Sequence, residues 1–247
     1  MDAHEYDRLA EYEEWYWWHR ARQTIVQTLL RRYAPPRARI LDVGCGTGAT
    51  THSLASFGSV VGLDVGMDAL RYAQRRGVPV AGSVAAPLAV RSAAADVVVA
   101  LDVLEHLPDD RAAAREMWRI LAPHGILLVT VPAYQFLWSG HDVALGHQRR
   151  YRRRQLQDVL RESGFEIELC SYVMASVFPP AAVVRLADRL RPRKQAVQES
   201  GYVATPPLVN SIMSHLVGFE GRLVQHVNLP FGLSVVAVAR RPRESRG

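Results

Sequence analysis

Short apolar runs alternate with amphipathic segments through the first half of the chain. The runs ILDV, VVGLDV, VVVALDV and ILLVTV end at Val43, Val65, Val103 and Val131 and are rich in β-branched residues. Between them, apolar residues recur at helical spacing. Buried strands of a parallel sheet give continuous apolar runs of this kind, and helices supply the crossovers between them. The pattern predicts an α/β fold built on a doubly wound sheet.

The two ends of the chain depart from this alternation. The first 35 residues favour helix, which Pro35 and Pro36 are expected to end. After Val131 the sequence predicts a long connection, a helix from about Arg152 to Ser163, the strand FEIELCSYV and, much later, the strand GLSVVAVAR. The intervening segment has helical apolar spacing and is too long for an unstructured loop.

We therefore divide the chain into four parts. They are an N-terminal helical segment (1–36), a core (37–173), a helical insert between strands six and seven (174–231), and a final strand and tail (232–247). Both the long connection and the insert leave from carboxyl ends of strands, where ligands gather in doubly wound sheets. The insert is therefore predicted to cap the site, with the stretch RPRKQAVQESGYVATPP in its middle expected to be mobile.

Composition and charge exclude several classes of protein. The chain is 49% hydrophobic and 22% charged, as in ordinary globular proteins. The N-terminus has no apolar signal segment and no window reaches the length of a membrane span, so we expect a cytoplasmic protein. The two cysteines, Cys45 and Cys170, are isolated, which offers neither a disulfide framework nor a CxxC metal site.

The net charge of +6 comes almost entirely from arginine, because Lys194 is the only lysine. The densest cluster, RRYRRR (149–154), contains Tyr151 and is able in principle to grip a nucleic-acid backbone and stack a base. The alternative is a solvated loop leading into a helix, and we expect that alternative and no nucleic-acid partner.

Three glycines at alternate positions follow the first apolar run. Gly44, Gly46 and Gly48 stand behind Asp42. Glycine lets the backbone turn sharply and lets a ligand approach without a Cβ in the way. Asp64, the last but one residue of the second run, stands 20 residues after Gly44 and is placed to accept hydrogen bonds from the ribose hydroxyls of an adenosine. On these residues alone, a dinucleotide and a single-adenosine cofactor both fit.

Four segments together carry a family resemblance. LDVGCGTG, VVGLDVG, ADVVVALDVLEHLPD and RILAPHGILLVTVPA resemble the class I S-adenosylmethionine-dependent methyltransferases, in order and at the usual spacing. The resemblance covers roughly Ala38 to Val173, and GLSVVAVAR resembles the antiparallel seventh strand of the family. It implies a seven-stranded sheet with an antiparallel last strand, S-adenosylmethionine as cofactor and S-adenosylhomocysteine as product.

The resemblance also implies which positions hold the cofactor. The methionine and ribose part would lie on Asp42, Gly44, Cys45, Gly46 and Gly48, the ribose hydroxyls on Asp64, the adenine on Val65 and Met67, and the sulfonium on Leu101, Asp102 and Val103. Many relatives carry an aspartate after the third strand that accepts from the adenine amino group. Here Ser83 and Val84 take its place, which weakens that expectation. In relatives, a segment like WYWWHRAR closes over the cofactor with an arginine such as Arg20 or Arg22.

The acceptor is expected to lie beneath the late loops. A base helps methyl transfer to a hydroxyl, since the oxygen must lose its proton. His141, His147 and His106 are the candidate catalytic residues, and Asp142 stands beside the first. The apolar insert favours a small or medium-sized, rather apolar acceptor, including a lipid-linked one. We expect O-methylation, with N- or C-methylation as alternatives.

Two further interpretations remain open at this stage. Asp102, Glu105 and His106 share one face of a helical turn and, with His141, are similar to the metal-binding set of some ubiquinone-biosynthesis and small-RNA methyltransferases. The alternative, in which Glu105 and His106 only cap and pack the next helix, leads us to expect no metal. A non-catalytic protein that uses the insert and its arginines (Arg185, Arg189, Arg191, Arg193) on anionic lipid is the second interpretation, so that peripheral membrane contact stays open.

Overall fold

The sheet has the predicted architecture. The computed structural model describes residues 3–190 and 205–243. Within them a seven-stranded sheet has the order β3-β2-β1-β4-β5-β7-β6, in which β7 is antiparallel to both of its neighbours and the other pairs are parallel. The strands are β1 (Ala38–Val43), β2 (Gly58–Asp64), β3 (Val80–Gly82), β4 (Ala95–Leu101), β5 (Leu121–Pro132), β6 (Glu166–Val173) and β7 (Ser234–Arg240).

Helices cover both faces of the sheet. Those described are α1 (Ala3–Trp15), α2 (Trp17–Tyr33), α3 (Ala49–Leu54), α4 (Met67–Arg75), α5 (Asp110–Ile120), α6 (Gly140–Ala144), α7 (Arg153–Glu162), α8 (Phe178–Leu190) and α9 (Pro207–Leu223). On β4, Val98 packs in the cluster that contains α5 and α7, whereas Val97 and Val99 pack with α2, α3 and α9. Alternate side chains of one strand thus enter two cores, which is why the run is apolar throughout.

The N-terminal helical segment consists of two helices, α1 and α2. Tyr16 has φ −70° and ψ 129°, an extended conformation that ends α1 and begins α2 at Trp17. α2 ends at Tyr33, two residues before Pro35. The break lets α1 lie against α3 and α4 while α2 packs on the sheet.

The predicted cap has two helices with different positions. α8 contributes to the wall of a cavity described below, but α9 lies along α2. A Cβ built on Gly221 would lie 3.0 Å from a side-chain carbon of Ile25 in α2, so the two helices approach closely. The prediction that the whole insert covers the site is therefore wrong for α9. Most of the stretch expected to be mobile (191–204) lies outside the described residues.

No helix in the described part of the chain is long and apolar enough to cross a membrane.

Candidate active site

The glycine loop lies at the carboxyl end of β1, and its three glycines serve different purposes. All three have positive φ: +74° at Gly44, +55° at Gly46 and +81° at Gly48. A Cβ on Gly44 would lie 2.6 Å from Val103, and one on Gly48 would lie 2.6 Å from Ala73. A Cβ on Gly46 would meet nothing within 4 Å. Gly44 and Gly48 therefore allow close protein packing, whereas Gly46 keeps a space in front of the loop open.

Asp64 joins the glycine loop to the end of β2. Its Oδ2 accepts a hydrogen bond of 2.9 Å from the Gly46 amide, and its Oδ1 accepts one of 2.8 Å from the Gly66 amide. Each carboxylate oxygen accepts more than one hydrogen bond, so both remain able to bind a ribose hydroxyl. The backbone amides of Gly46 and Gly66 thus hold the carboxylate beside the open space at Gly46. This arrangement fits an adenosine.

Asp42 lies buried beneath the same loop. It is 2% exposed, and its Oδ2 accepts a 2.6 Å hydrogen bond from the Thr51 hydroxyl. Burial raises the pKa of Asp42 to about 7, although the Thr51 hydroxyl and the charge of Arg22 oppose the shift. The carboxyl group of Asp42 therefore gains or loses its negative charge near pH 7, and it lies under the predicted methionine end of the cofactor.

The other predicted cofactor residues surround this opening unevenly. Val65, Met67 and Val84 are among the exposed large apolar residues. The Ser83 hydroxyl is engaged locally, since it donates to the Val84 carbonyl and accepts from the Ala89 amide.

The remaining predicted cofactor residues, Leu101, Val103 and Cys45, contribute through their backbone or their packing. Leu101 is buried at the end of β4, and Val103 fills the space that a Cβ of Gly44 would need. The Cys45 sulfur packs against Gly62 of β2, where a Cβ would lie 2.8 Å away from it. Burial raises the pKa of the Cys45 thiol. The cysteine therefore stays a small, unreactive neighbour of the loop.

α1 closes over the glycine loop through a residue, Glu13, that the sequence did not single out. Glu13 is buried and accepts a hydrogen bond from the Thr47 hydroxyl inside the glycine loop. Arg76 at the end of α4 lies 3.8 Å from Glu13 and 3.3 Å from Glu14, and it donates to the Ala10 carbonyl. Glu13 stands among several acids in the sequence, and only the docking of α1 distinguishes it.

Asp102, just after β4, connects the loop to α2. It has φ +55°, accepts a 3.1 Å hydrogen bond from the Thr130 hydroxyl and forms a 2.8 Å ion pair with Arg22. The Arg22 guanidinium lies 4.6 Å from the centre of the Trp18 ring. Of the two arginines suggested by the resemblance, Arg22 faces the site, whereas Arg20 is exposed in a groove beside α9.

A cavity of about 170 Å³ opens next to Asp102. It lies among the ends of β4 and β5, the segment after β5, and α8. Its polar lining is Asp102, Glu105, His141, His147, Arg150, Arg185 and Ser234, and its apolar lining is Trp18, Pro132, Leu137, Leu145, Ala181 and Leu233. Trp18 therefore faces the site while it also packs against the core, and Trp15 is 37% exposed.

Glu105 is the most unusual residue of this cavity. It is 0% exposed, and neither of its carboxyl oxygens has a hydrogen-bond partner. Burial, together with the nearby charge of Asp102, raises the pKa of Glu105 well above its ordinary value. The helix cap expected of it is made by Asp109, which accepts from the Ala112 amide. A buried carboxyl group without a partner is rare and calls for a ligand or a function.

The three candidate histidines do not have equal positions. His141 and His147 line the cavity, whereas His106 is not among its lining residues and its ring lies 4.7 Å from that of His147. Burial and the neighbouring charge of Arg185 lower the pKa of His141 to about 4, so it is neutral at pH 7. Burial and His147 also lower the pKa of His106.

Asp142 organises the rim of the cavity. It is buried and accepts hydrogen bonds from His147 Nδ1 at 2.9 Å and from Arg150 Nε at 2.6 Å. Although burial opposes it, these bonds hold the pKa of Asp142 well below its usual range. An ionised carboxylate only accepts, so His147 carries a proton on Nδ1.

One cluster of groups is close enough to hold a cation. Donor atoms of Glu105, His106 and His147 lie within 4.8 Å of one another. This set differs from the one that the sequence suggested, because His147 takes the place of His141 and Asp102 pairs with Arg22. Two imidazoles and one carboxylate would suit a transition metal. The expectation that no metal is bound stays a prediction.

The arginine cluster 149–154 is not the solvated loop that was expected. Tyr151 is 3% exposed and donates a 2.8 Å hydrogen bond to Asp110, so it cannot stack on a base. Arg149 pairs with Asp110 at 3.2 Å, and Arg150 with Asp142. Much of the cluster is thus structural, since it ties the loop after β5 to buried carboxylates.

Comparison with known proteins agrees with this geometry. A family model described as "Methyltransferase domain" matches residues 17–169. A protein of Mycolicibacterium smegmatis named "probable S-adenosylmethionine-dependent methyltransferase" is 28% identical over 240 residues, 93% of this chain and 91% of the relative. A ubiquinone biosynthesis O-methyltransferase of Xanthomonas oryzae is 33% identical over 101 residues, 38% of this chain and 42% of that protein.

A solved structure shares the fold. The phosphoethanolamine N-methyltransferase 2 of Haemonchus contortus, in complex with S-adenosyl-L-methionine, superposes with a TM-score of 0.57 at 18% identity, covering 88% of this chain and 53% of that one. The similarity to methyltransferases accounts for the glycine loop, for the aspartate at the end of β2 and for the antiparallel β7 together. This chain belongs to the methyltransferase domain family and is a class I S-adenosylmethionine-dependent methyltransferase.

Proposed function

We propose that the protein methylates a hydroxyl oxygen of a small acceptor bound in the cavity beside Asp102. The observation that carries the proposal is Glu105, a fully buried carboxyl group that lines the cavity and has no hydrogen-bond partner. An unpaired buried acceptor is unfavourable unless a ligand supplies a donor. A hydroxyl group supplies such a donor and is also a nucleophile. The acceptor's own O–H group would therefore point at Glu105.

The chain's residues then have separate tasks. The cofactor, when bound, supplies an electrophilic methyl group on a positively charged sulfur. Gly46 and Asp64 would hold its adenosine part, and Asp102 and Trp18, which line the cavity, would lie where the cofactor meets the acceptor. Placing the acceptor oxygen in line with the methyl group is the main contribution to the rate. As the O–C bond forms and the C–S bond breaks, the hydroxyl proton moves to the ionised form of Glu105, whose raised pKa makes it a stronger base than an ordinary carboxylate.

His141 is the second polar group of the cavity. Because it is neutral at pH 7, it adds no positive charge beside the cofactor. Its low pKa makes it a weak base, so we assign it the role of orienting the acceptor by a hydrogen bond. This revises the expectation that His141 is the base, and it leaves His147 fixed to Asp142.

The size and lining of the cavity limit the acceptor. A volume of about 170 Å³ holds one small ring or a short chain. Five of its lining side chains are aliphatic, and two arginines stand at its rim. The ubiquinone biosynthesis relative is an O-methyltransferase, which supports oxygen as the target, although it matches only 38% of this chain. Amine or carbon acceptors are the alternative.

The proposal is tested by transfer of label from methyl-labelled S-adenosylmethionine to matched acceptors. Small phenols and alcohols should be labelled, and their amine analogues should be labelled at least tenfold more slowly. Faster labelling of the amines would contradict O-methylation. Each reaction is repeated with a chelator: unchanged turnover is expected, and loss of turnover restored by a divalent cation would assign the cluster of Glu105, His106 and His147 to a metal.

Cofactor binding should depend on pH through Asp42. The cofactor carries a positively charged amino group, which the ionised carboxylate binds better than the protonated acid does. Since burial raises the pKa of Asp42 to about 7, affinity should rise by up to about tenfold per unit from pH 5 to pH 7 and level off above it. Calorimetry with S-adenosylhomocysteine measures this slope. The variant Asp42→Asn should bind more weakly and show a flat profile, and a slope retained in that variant would contradict the assignment.

A further inference from the structure

The outer face of α9 is apolar along its whole length. Leu208, Ile212, Leu216, Phe219 and Leu223 follow one another at spacings of four, four, three and four residues, which places them on one side of a helix. Each of them is exposed, from 36% at Leu223 to 73% at Leu208. We call these five residues the α9 face. A stripe of this length is unusual on a soluble surface and marks an interaction site.

The rest of α9 is fixed, so the α9 face cannot turn inward. Val217 is fully buried and packs in the core cluster that contains α2. Asn210 accepts a 2.7 Å hydrogen bond from the Trp17 amide and donates one of 2.6 Å to the Trp15 carbonyl. These contacts hold the helix by its opposite side. The α9 face is therefore a permanent surface of the described fold.

The charged residues that border the α9 face are basic. Glu220, the only acid in α9, is 6% exposed and accepts 2.8 Å hydrogen bonds from the Ala175 and Ser176 amides, so it does not reach this surface. Arg222 and Arg20 both line an open groove of about 570 Å³ between α2 and α9. Trp15 and Phe219 line the same groove. An apolar stripe thus borders a groove with two arginines and a tryptophan.

We propose that the α9 face docks onto an anionic lipid membrane surface. A helix that lies in the interface buries apolar side chains among the lipids while cations pair with phosphate groups and a tryptophan sits at headgroup level. Here the α9 face supplies the apolar side chains, Arg20 and Arg222 supply the cations, and Trp15 is the tryptophan at headgroup level. The proposed contact is peripheral and does not depend on which acceptor is methylated.

The test compares vesicle binding of matched variants of the full chain. The wild type should sediment with phosphatidylcholine vesicles that contain phosphatidylglycerol and bind at least tenfold more weakly to pure phosphatidylcholine. Leu216→Glu combined with Phe219→Glu should abolish binding, because two apolar anchors are lost and two negative charges are gained. Ala55→Glu combined with Ser56→Glu adds the same charge at exposed positions after α3 and should bind like the wild type.

Two readouts keep the result interpretable. S-adenosylhomocysteine affinity should be the same in all these proteins, which shows that the variants are folded and separates this test from that of methyl transfer. Failure of the wild type to bind anionic vesicles, or equal binding to neutral ones, would overturn the proposal. So would a concentration-dependent dimer that the Leu216→Glu, Phe219→Glu pair dissociates, since a second copy would then cover the α9 face.

Discussion

Replacing Glu105 with methionine should stabilise the protein and abolish methyl transfer. The wild-type carboxyl group is fully buried without a hydrogen-bond partner, and methionine fills a similar volume without a polar group. Removing such an unsatisfied group is expected to raise the free energy of unfolding by about 2 kcal/mol. For a domain of this size that corresponds to a Tm increase of roughly 4–8 °C. Thermal unfolding measured by calorimetry checks the prediction without any knowledge of the acceptor.

The gain in stability should grow with pH. Because the folded state raises the pKa of Glu105, wild-type stability is fully present below the ordinary value of 4.5 and decreases as pH rises toward the folded-state pKa. The methionine variant has no such loss. The difference in Tm between the two proteins should therefore be larger at pH 8 than at pH 5. A difference that shrinks with pH would show that Glu105 is ionised and stabilised by a partner.

Glu220 provides a matched control for this substitution. It is also a buried glutamate, at 6% exposure, but its carboxylate accepts two amide hydrogen bonds, from Ala175 and Ser176. Glu220→Met leaves these two amides without their acceptor and should lower stability by about 3 kcal/mol. Opposite signs for the two substitutions would show that Glu105 is kept for function. Activity of Glu105→Met equal to wild type would contradict its role in binding the acceptor.

Asp64→Ala should weaken cofactor binding by about a hundredfold. The substitution removes the predicted acceptor of two ribose hydrogen bonds, each expected to be worth about 1.5 kcal/mol or more because the acceptor is charged. It also releases the Gly46 and Gly66 amides, which the carboxylate now holds at 2.9 and 2.8 Å. Calorimetry with S-adenosylhomocysteine measures the loss. Asp64→Asn, which keeps one acceptor oxygen, should have an affinity between those of the wild type and of Asp64→Ala.

The control for this prediction is Asp68, four residues further on. It is exposed on α4 and forms an ion pair of 2.9 Å with Arg71. Asp68→Ala removes the same charge from the same region and should leave cofactor affinity unchanged. Equal losses in the two variants would mean that Asp64 acts through net charge alone. An unchanged affinity in a folded Asp64→Ala protein would remove the basis for the cofactor site.

The geometry of the glycine loop and of Asp64, where we expect the cofactor, could be predicted from sequence because it is local. Gly44, Gly46, Gly48 and Asp64 stand at the carboxyl ends of adjacent parallel strands, and strand pairing alone brings those ends together. The sequence could not show that the three glycines serve different purposes. Gly44 and Gly48 fit against Val103 and Ala73, which are distant in sequence, and only Gly46 faces open space.

The acceptor half was predicted less well because it depends on docking. The sequence favoured His141 over His147 and His106, yet the loop after β5 places both His141 and His147 in the cavity and leaves His106 outside its lining. Glu105 was considered only as a metal ligand or a helix cap. No sequence pattern reveals that a carboxyl group is buried without a partner, because this depends on every element around it.

The sequence by itself determined the fold class, the strand directions and the cofactor, because alternating apolar runs and a strand-turn-helix glycine motif act over short distances. Only the tertiary structure decided that α1 closes over the glycine loop through Glu13, that Tyr151 is buried and that α9 packs on α2 with an apolar face outward. Those outcomes depend on which faces of separate elements meet. Burial, and with it the pKa of Asp42 and of Glu105, follows from that packing.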